Sequence, residues 1–342
     1  MSLVPTVPPD GPSLRPTDRR AARILAVLSP LLAGLALLLA FGLRTAGQPA
    51  AAPAKPARVR IGIAPGTWQG LNRNDASAAL SMWARTILTQ HDVALEITTE
   101  LFESDEELGR AVRERRVEAA SVLADQFVAL DDEIHLDTAF ATARDSTITE
   151  RYVLLVRRGT DITALAGLRG KALAVQMTSR SCLALPWMQT LLAEQGQPAA
   201  DAFFSVITRI EGPSRAILQV FFRQADATIV TEHALDIACE LNPQLRKELI
   251  VLATSPEVVP AVFFFLPDQK PETARLVERA MLNWQETPSG RQVLTVFQSD
   301  GLVRITPAQF QSTRDLVVRY HRLPLAPAPV GKPAAGAAHP EP

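Results

Sequence analysis

The chain has 342 residues, 47% of them hydrophobic and 21% charged, which excludes wholesale disorder and leaves room for about two structural units. Thirty-five basic residues against 36 acidic ones leave a net charge of -1, so the domain-wide positive excess of a nucleic-acid binder is missing. Two cysteines are too few for a disulfide framework or a zinc module. The first feature in chain order is 24–43, ILAVLSPLLAGLALLLAFGL, which carries no charge and spans about 30 Å as a helix, the thickness of a hydrocarbon core. Arg15, Arg19, Arg20 and Arg23 precede it and Arg44 follows, so residues 1–23 are expected to stay cytoplasmic and the rest to lie outside. The apolar run exceeds a signal peptide's usual h-region and its n-region is long, which favours a single-pass anchor over a cleaved signal.

Fifteen of the 26 prolines fall in residues 1–57 and 324–342, so 44–57 reads as a Pro/Ala linker and 324–342 as a disordered Pro/Ala tail. Charge divides along the same lines. Residues 1–57 carry Arg15, Arg19, Arg20, Arg23, Arg44 and Lys55 against Asp10 and Asp18, while the tail holds only Lys332 and Glu341. The body, 58–323, is therefore acidic, at -5.

Within the body, the apolar run 59–64 ends at Pro65 and Gly66, as a strand leading into a loop does. Leu80, Trp83, Ile87 and Leu88 recur at helical spacing through 78–90, and 94–101 is rich in β-formers. Ser104 with Glu107 is a capping box opening a charged helix to Arg116. Residues 118–124 predict a strand and 125–131 a short helix. Later apolar runs at 152–156, 172–176, 203–207, 227–230, 249–253 and 259–266 predict strands, and 183–194, 214–222 and 232–241 predict helices. Thr306, Pro307 and Gln309 open a last amphipathic helix running to about His321. This alternation predicts a parallel sheet with helices on both faces, with ligands bound beyond the carboxyl ends of the strands. The loops at 65–74, 124–127, 176–182, 211–215 and 231–233 are where a site is expected.

Motifs for nucleotide, dinucleotide, serine-hydrolase and zinc-protease chemistry are all missing. The histidines at 91, 135, 233, 321 and 339 have no partner at metal-ligand spacing. Glu106 with Glu107, and Asp131, Asp132 and Glu133, read as solvated surface. Cys182 and Cys239 both lie in the extracytoplasmic body, and nothing in the sequence sets the distance a disulfide needs. Neither a catalytic residue, a metal site nor a cofactor is expected. One loop stands out: 172–186 reads ALAVQMTSRSCLALP, a strand, a hydroxyl-rich turn with an arginine, then a helix. Thr178, Ser179 and Ser181 beside the free N–H groups of a helix start, with Arg180 adding a fixed charge, fit an anion site. Plain N-capping by Ser179 or Ser181, with Arg180 in water, fits the same residues.

From Val59 to about Leu323 the sequence resembles the substrate-binding proteins of phosphate/phosphite/phosphonate-type ABC importers, the PhnD-like periplasmic type II binding proteins. LRGK at 168–171 matches the family's L-x-G-K strand, SRSCLALP stands where the family has S-T-S-G-x-x-x-P, and GPSRAILQVFFRQADATIV where it has G-S-H-x-x-A-I-x-x-V-x-x-G-x-x-D-A. The resemblance implies a two-lobed α/β fold, with 58–150 plus 256–323 as lobe I and 151–255 as lobe II, closing as a hinge on a small oxyanion. It carries Ser179 and Ser181 onto the family's anion-donating serines. It also places Trp68 and Phe127 as aromatic cleft walls, against which core packing is the stronger reading of both rings, Asp226 on the family's aspartate or else as a cap on the next segment, and Thr231 and Glu232 at the rim. Arg180 replaces a threonine, Cys182 a glycine and Ser214 a histidine, and Phe127 lacks a phenolic hydroxyl. A guanidinium in place of a hydroxyl fits a more charged or bulkier anion, or a pocket that has lost its original ligand.

The expected function is therefore that of a solute-binding protein in the periplasm, anchored in the inner membrane, which passes a small oxyanion to an ABC permease and performs no chemistry. A membrane-anchored sensory or scaffold protein that contacts a membrane sensor partner is the alternative, and the long cytoplasmic arm favours it.

Overall fold

The computed structural model describes residues 57–68, 72–90, 95–130, 134, 136–267 and 271–324. The apolar segment 24–43, the linker, nearly all of the tail, His91, His135, His339 and the acidic run 131–133 lie outside the described residues. Among the described residues, no helix is long and apolar enough to cross a membrane.

Strands β1 (Ala57–Ile63), β2 (Leu95–Leu101), β3 (Ala119–Leu123) and β4 (Ala139–Ala143) come first in the chain. Then follow β5 (Tyr152–Arg157), β6 (Ala172–Met177), β7 (Val206–Glu211), β8 (Ala227–Thr231) and β9 (Leu249–Thr254). Strands β10 (Ala261–Phe265) and β11 (Gly301–Arg304) close the series. They form two sheets, in the orders β11-β4-β10-β3-β1-β2 and β7-β6-β8-β5-β9. The first draws on both ends of the described chain, the second on its middle.

Both sheets are mixed, not the single parallel sheet that strand–helix alternation predicts. Strands β1, β2 and β3 pair parallel, as do β6, β7 and β8, but β10 and β5 each enter antiparallel. The cause is connectivity. The chain reaches β5 and β10 directly from the other sheet, without the helical crossover that returns a strand in parallel. Strand β8 is buried along its whole length and β5 over its first five residues, as a central strand covered on both faces requires.

The two passages between the sheets lie side by side. Glu150 N–H donates to Val258 O at 2.7 Å and Val258 N–H to Glu150 O at 2.9 Å. The C-terminal helix Pro307–His321 ties both sheets from another side, and the capping box read from Thr306 and Gln309 is formed. Phe310 packs edge-on against Phe127, centroids 5.2 Å apart, while Arg319 pairs with Glu194 at 2.9 Å at the end of helix Ala184–Glu194.

Five prolines inside the body mark helix starts. Pro213, Pro243, Pro271, Pro288 and Pro307 each open a helix, where a fixed φ suits the first turn and the missing N–H costs nothing. Elsewhere the boundaries move. The apolar pair Phe203-Phe204 belongs to a short buried helix, Ala200–Phe203, and its end, so β7 starts at Val206 instead of 203. Short apolar runs do not distinguish these states by periodicity. The helix expected over 183–194 forms as Ala184–Glu194, preceded by a 3₁₀ turn, Ser179–Ser181.

Candidate functional site

The hydroxyl-rich turn after β6 is wired from below. The buried Gln176 side chain accepts from Thr231 N–H at 3.1 Å and donates to Thr178 Oγ1 at 3.3 Å, which ties the carboxyl ends of the neighbours β6 and β8. Ser181 Oγ accepts from Thr178 N–H at 2.9 Å and donates to Gln176 O at 2.8 Å. Tyr152, fully buried on β5, donates its hydroxyl to Arg180 O at 3.0 Å. Burial and the nearby Cys182 and Glu150 push that phenol well above its ordinary pKa, so it stays a neutral donor.

A cleft of about 430 Å³ opens over this turn. Met177, Thr178, Ser179 and Arg180 line it from the second sheet's side, joined by Gly212, Pro213 and Ser214 after β7 and by Thr231 and His233 after β8. Gly212 takes a positive φ of 87°, which a glycine accepts freely and which turns β7 sharply into the next helix. Thr67, Arg144, Phe297 and Gln298 line the cleft from the first sheet's side. The site thus sits between the two sheets, at strand carboxyl ends, as α/β chemistry favours.

Its cations share one carboxylate. Arg180 Nη1 lies 2.8 Å from Glu150 Oε1, with side chains 9% and 5% exposed. The other Arg180 amino group donates to Ser299 Oγ at 3.3 Å. Arg144 Nη1 stands 3.8 Å from the same Glu150 oxygen, and among the described residues its Nε and Nη2 groups donate only to Gln298 O, at 3.4 and 3.5 Å. Burial and the adjacent Arg180 lower the Arg144 pKa, while Glu150, Asp145 and Asp300 pull it back up. Of the two arginines, Arg144 is the less firmly held.

Residues 76–310 match the family described as ABC transporter, phosphonate, periplasmic substrate-binding protein. The chain belongs to this family. No curated protein sequence matches it. Among solved structures, a Xanthomonas citri protein with bound chloride is similar at 15% identity and TM-score 0.56, over 78% of this chain and 98% of that one. PhnD1 from Prochlorococcus marinus, in complex with methylphosphonate, is similar at 14% and 0.53, over 78% and 100%. A binding protein component of an ABC phosphonate transporter from Pseudomonas aeruginosa follows at 13% and 0.52, over 78% and 87%. At such identities the likeness is one of fold.

In this binding protein the residues singled out from sequence divide into two groups. Thr178, Ser179, Arg180, Ser214 and Thr231 line the cleft. Thr231 also caps the helix Glu232–Leu241 by accepting from Ala234 N–H at 3.3 Å. Ser181 turns inward, as its bonds to Thr178 and Gln176 require. Phe127 is a core residue, fully buried between Phe264 and Phe310. Trp68 packs against the first sheet's core beneath the guanidinium of Arg73, and its neighbour Thr67 is the one that faces the cleft. Asp226 accepts from Ala172 N–H at 2.8 Å, at the opposite end of β6 from the cleft, so it fastens strand starts together. Glu232 pairs with Arg151 at 3.1 Å, beside the passage between the sheets. Arg180 adds no free charge, because Glu150 already partners it.

Sequence reasoning missed Arg144, Glu150 and Gln298. Arg144 follows β4, a short AFATA strand that the apolar-run reading passed over, and Gln298 precedes another such strand, β11. Thr67, Gln176 and His233 lay in loops already marked for inspection. The two cysteines are free thiols; Cys182 donates to Pro260 O at 3.2 Å, and Cys239 sits in a separate core cluster.

Proposed function

We propose that the cleft between the two sheets captures a small oxyanion of the phosphonate, phosphate or phosphite type and that the protein hands it to an ABC permease. The observation that carries this reading is Arg144, a loosely partnered guanidinium facing the turn of Thr178 and Ser179 across a cleft that both sheets line. Arg144 supplies the charge, and the Thr178–Ser179 turn supplies side-chain hydroxyls on the other side. Lobes 58–150 plus 256–323 and 151–255 close about the paired passages at Glu150 and Val258, burying the ligand. Segment 24–43 anchors the protein in the inner membrane with 1–23 in the cytoplasm, and the linker 44–57 lets the binding domain reach the permease.

A thermal-shift screen of the purified protein against phosphate, phosphite, methylphosphonate and methanesulfonate tests this. A ligand at 100 times its dissociation constant adds about 2.7 kcal/mol of stability. A clear upward shift with at least one of these anions is expected. No shift with any of them removes the oxyanion reading.

A further inference from the structure

Beneath the cleft floor, two guanidiniums and one carboxylate do not cancel. Arg180 and Arg144 both reach the cleft, whereas Glu150 lies behind them with its side chain 5% exposed. The trio therefore presents one net positive charge to anything bound there. Among the described residues, no third arginine or lysine lines the cleft. The remaining charges nearby are negative or titratable. Asp145 and Asp300 face Arg144, exposed Glu211 lines the mouth, and His233 pairs with Asp145 at 3.5 Å. Tyr152, beside Glu150, is buried and donates its hydroxyl to a carbonyl.

A singly charged oxyanion on this floor meets its single counter-charge. A doubly charged one brings a second negative charge that is stripped of water, has no cation of its own, and faces Glu150, Asp145 and Glu211. We propose that the pocket selects monoanionic oxyanions, alkylsulfonates or singly ionised phosphonates, over dianions, and that Glu150 sets this preference by neutralising one of the two arginines. The inference rests on the oxyanion-binding reading and deepens it by naming the charge state of the ligand. A fully paired Arg180 points the same way, since substituting it for a hydroxyl does not equip the cleft for a more charged anion.

Calorimetric titration of the purified protein with methanesulfonate and methylphosphonate tests the inference. The sulfonate is singly charged throughout, and the phosphonate passes from one charge to two between about pH 5 and about pH 9. Taking the ratio of the two affinities at each pH removes those pH effects of the protein that act equally on both anions. The phosphonate-to-sulfonate ratio is expected to fall by about tenfold or more from the lower pH to the higher. In Glu150→Gln, which keeps an acceptor for Arg180 but no charge, the ratio at the higher pH is expected to rise by about tenfold. A wild-type ratio that stays constant or rises with pH overturns the charge preference and leaves oxyanion binding standing. An unchanged ratio in a folded Glu150→Gln variant overturns the role of Glu150. Should that variant not fold, the wild-type pH series decides by itself. Binding of neither anion at either pH overturns this inference, and the thermal-shift screen with phosphate and phosphite then decides the oxyanion reading.

Discussion

Replacing Glu150 by leucine and Arg180 by methionine, singly and together, measures how firmly the cleft floor is held. At 2.8 Å the Glu150–Arg180 attraction is about 6 kcal/mol gross at an effective dielectric of about 20, before desolvation is subtracted. Arg144, at 3.8 Å from the same oxygen, contributes about 4 kcal/mol on the same scale. Removing Glu150 abolishes both attractions and leaves Arg180 beside Arg144 without its ion-pair partner, while Arg144 keeps only the attraction of Asp145 and Asp300. Removing Arg180 leaves Glu150 with Arg144 still in reach. The two single changes are therefore unequal. Glu150→Leu is expected to cost about 3–5 kcal/mol, the range for orphaning a buried charge, and Arg180→Met about 1–3 kcal/mol. The double variant should cost less than the sum, by at least about 1 kcal/mol, because the first change already removes what the second would orphan. Urea unfolding followed by circular dichroism, with matched m-values, supplies the four free energies. Additive costs, or an Arg180→Met variant less stable than Glu150→Leu, would refute this account of the floor.

Two further outcomes follow from burial. Phe127→Ala should lose about 3–5 kcal/mol in the same unfolding assay while ligand affinity stays within about twofold, because the ring packs on Phe264 and Phe310 and not on the cleft; an affinity loss without destabilisation would return Phe127 to the cleft wall. Burial raises the Cys182 thiol well above its ordinary pKa, so the stability this group adds is complete below the unfolded thiol's value of about 8.5 and declines as pH rises above it. Cys182→Ala should flatten the decline of unfolding free energy between about pH 8.5 and about pH 10, and an unaltered slope would show that the thiol does not contribute.

The fold was legible wherever one local signal sufficed. The C-terminal helix was readable to its last residue, since proline at its first position and the Thr306–Gln309 box act within one turn. The turn at 178–181 was likewise visible as a place. What its residues do was not, because their partners come from elsewhere in the chain. Arg180 is held by Glu150 and Ser299, and Tyr152 from the neighbouring sheet region fixes its carbonyl. Ser181, matched by position to an anion donor, satisfies the turn from within. Phe127 and Trp68 show the same limit: core packing was the stronger reading of both rings, but an aromatic in a loop near a strand end also fits a cleft wall until the packing is known. The antiparallel entry of β5 and β10 was hidden for a related reason, since strand direction depends on which sheet the chain has just left.

Calorimetric titration of wild type and Arg144→Ala with methylphosphonate at about pH 5 tests the central claim most directly. Wild type is expected to bind, and Arg144→Ala to bind at least about tenfold more weakly, the loss of a charge-assisted contact worth about 1.5–3 kcal/mol, with unfolding free energy within about 1 kcal/mol of wild type. An Arg144→Ala variant that is equally stable and binds the phosphonate as tightly as wild type would contradict the account and place the anion elsewhere.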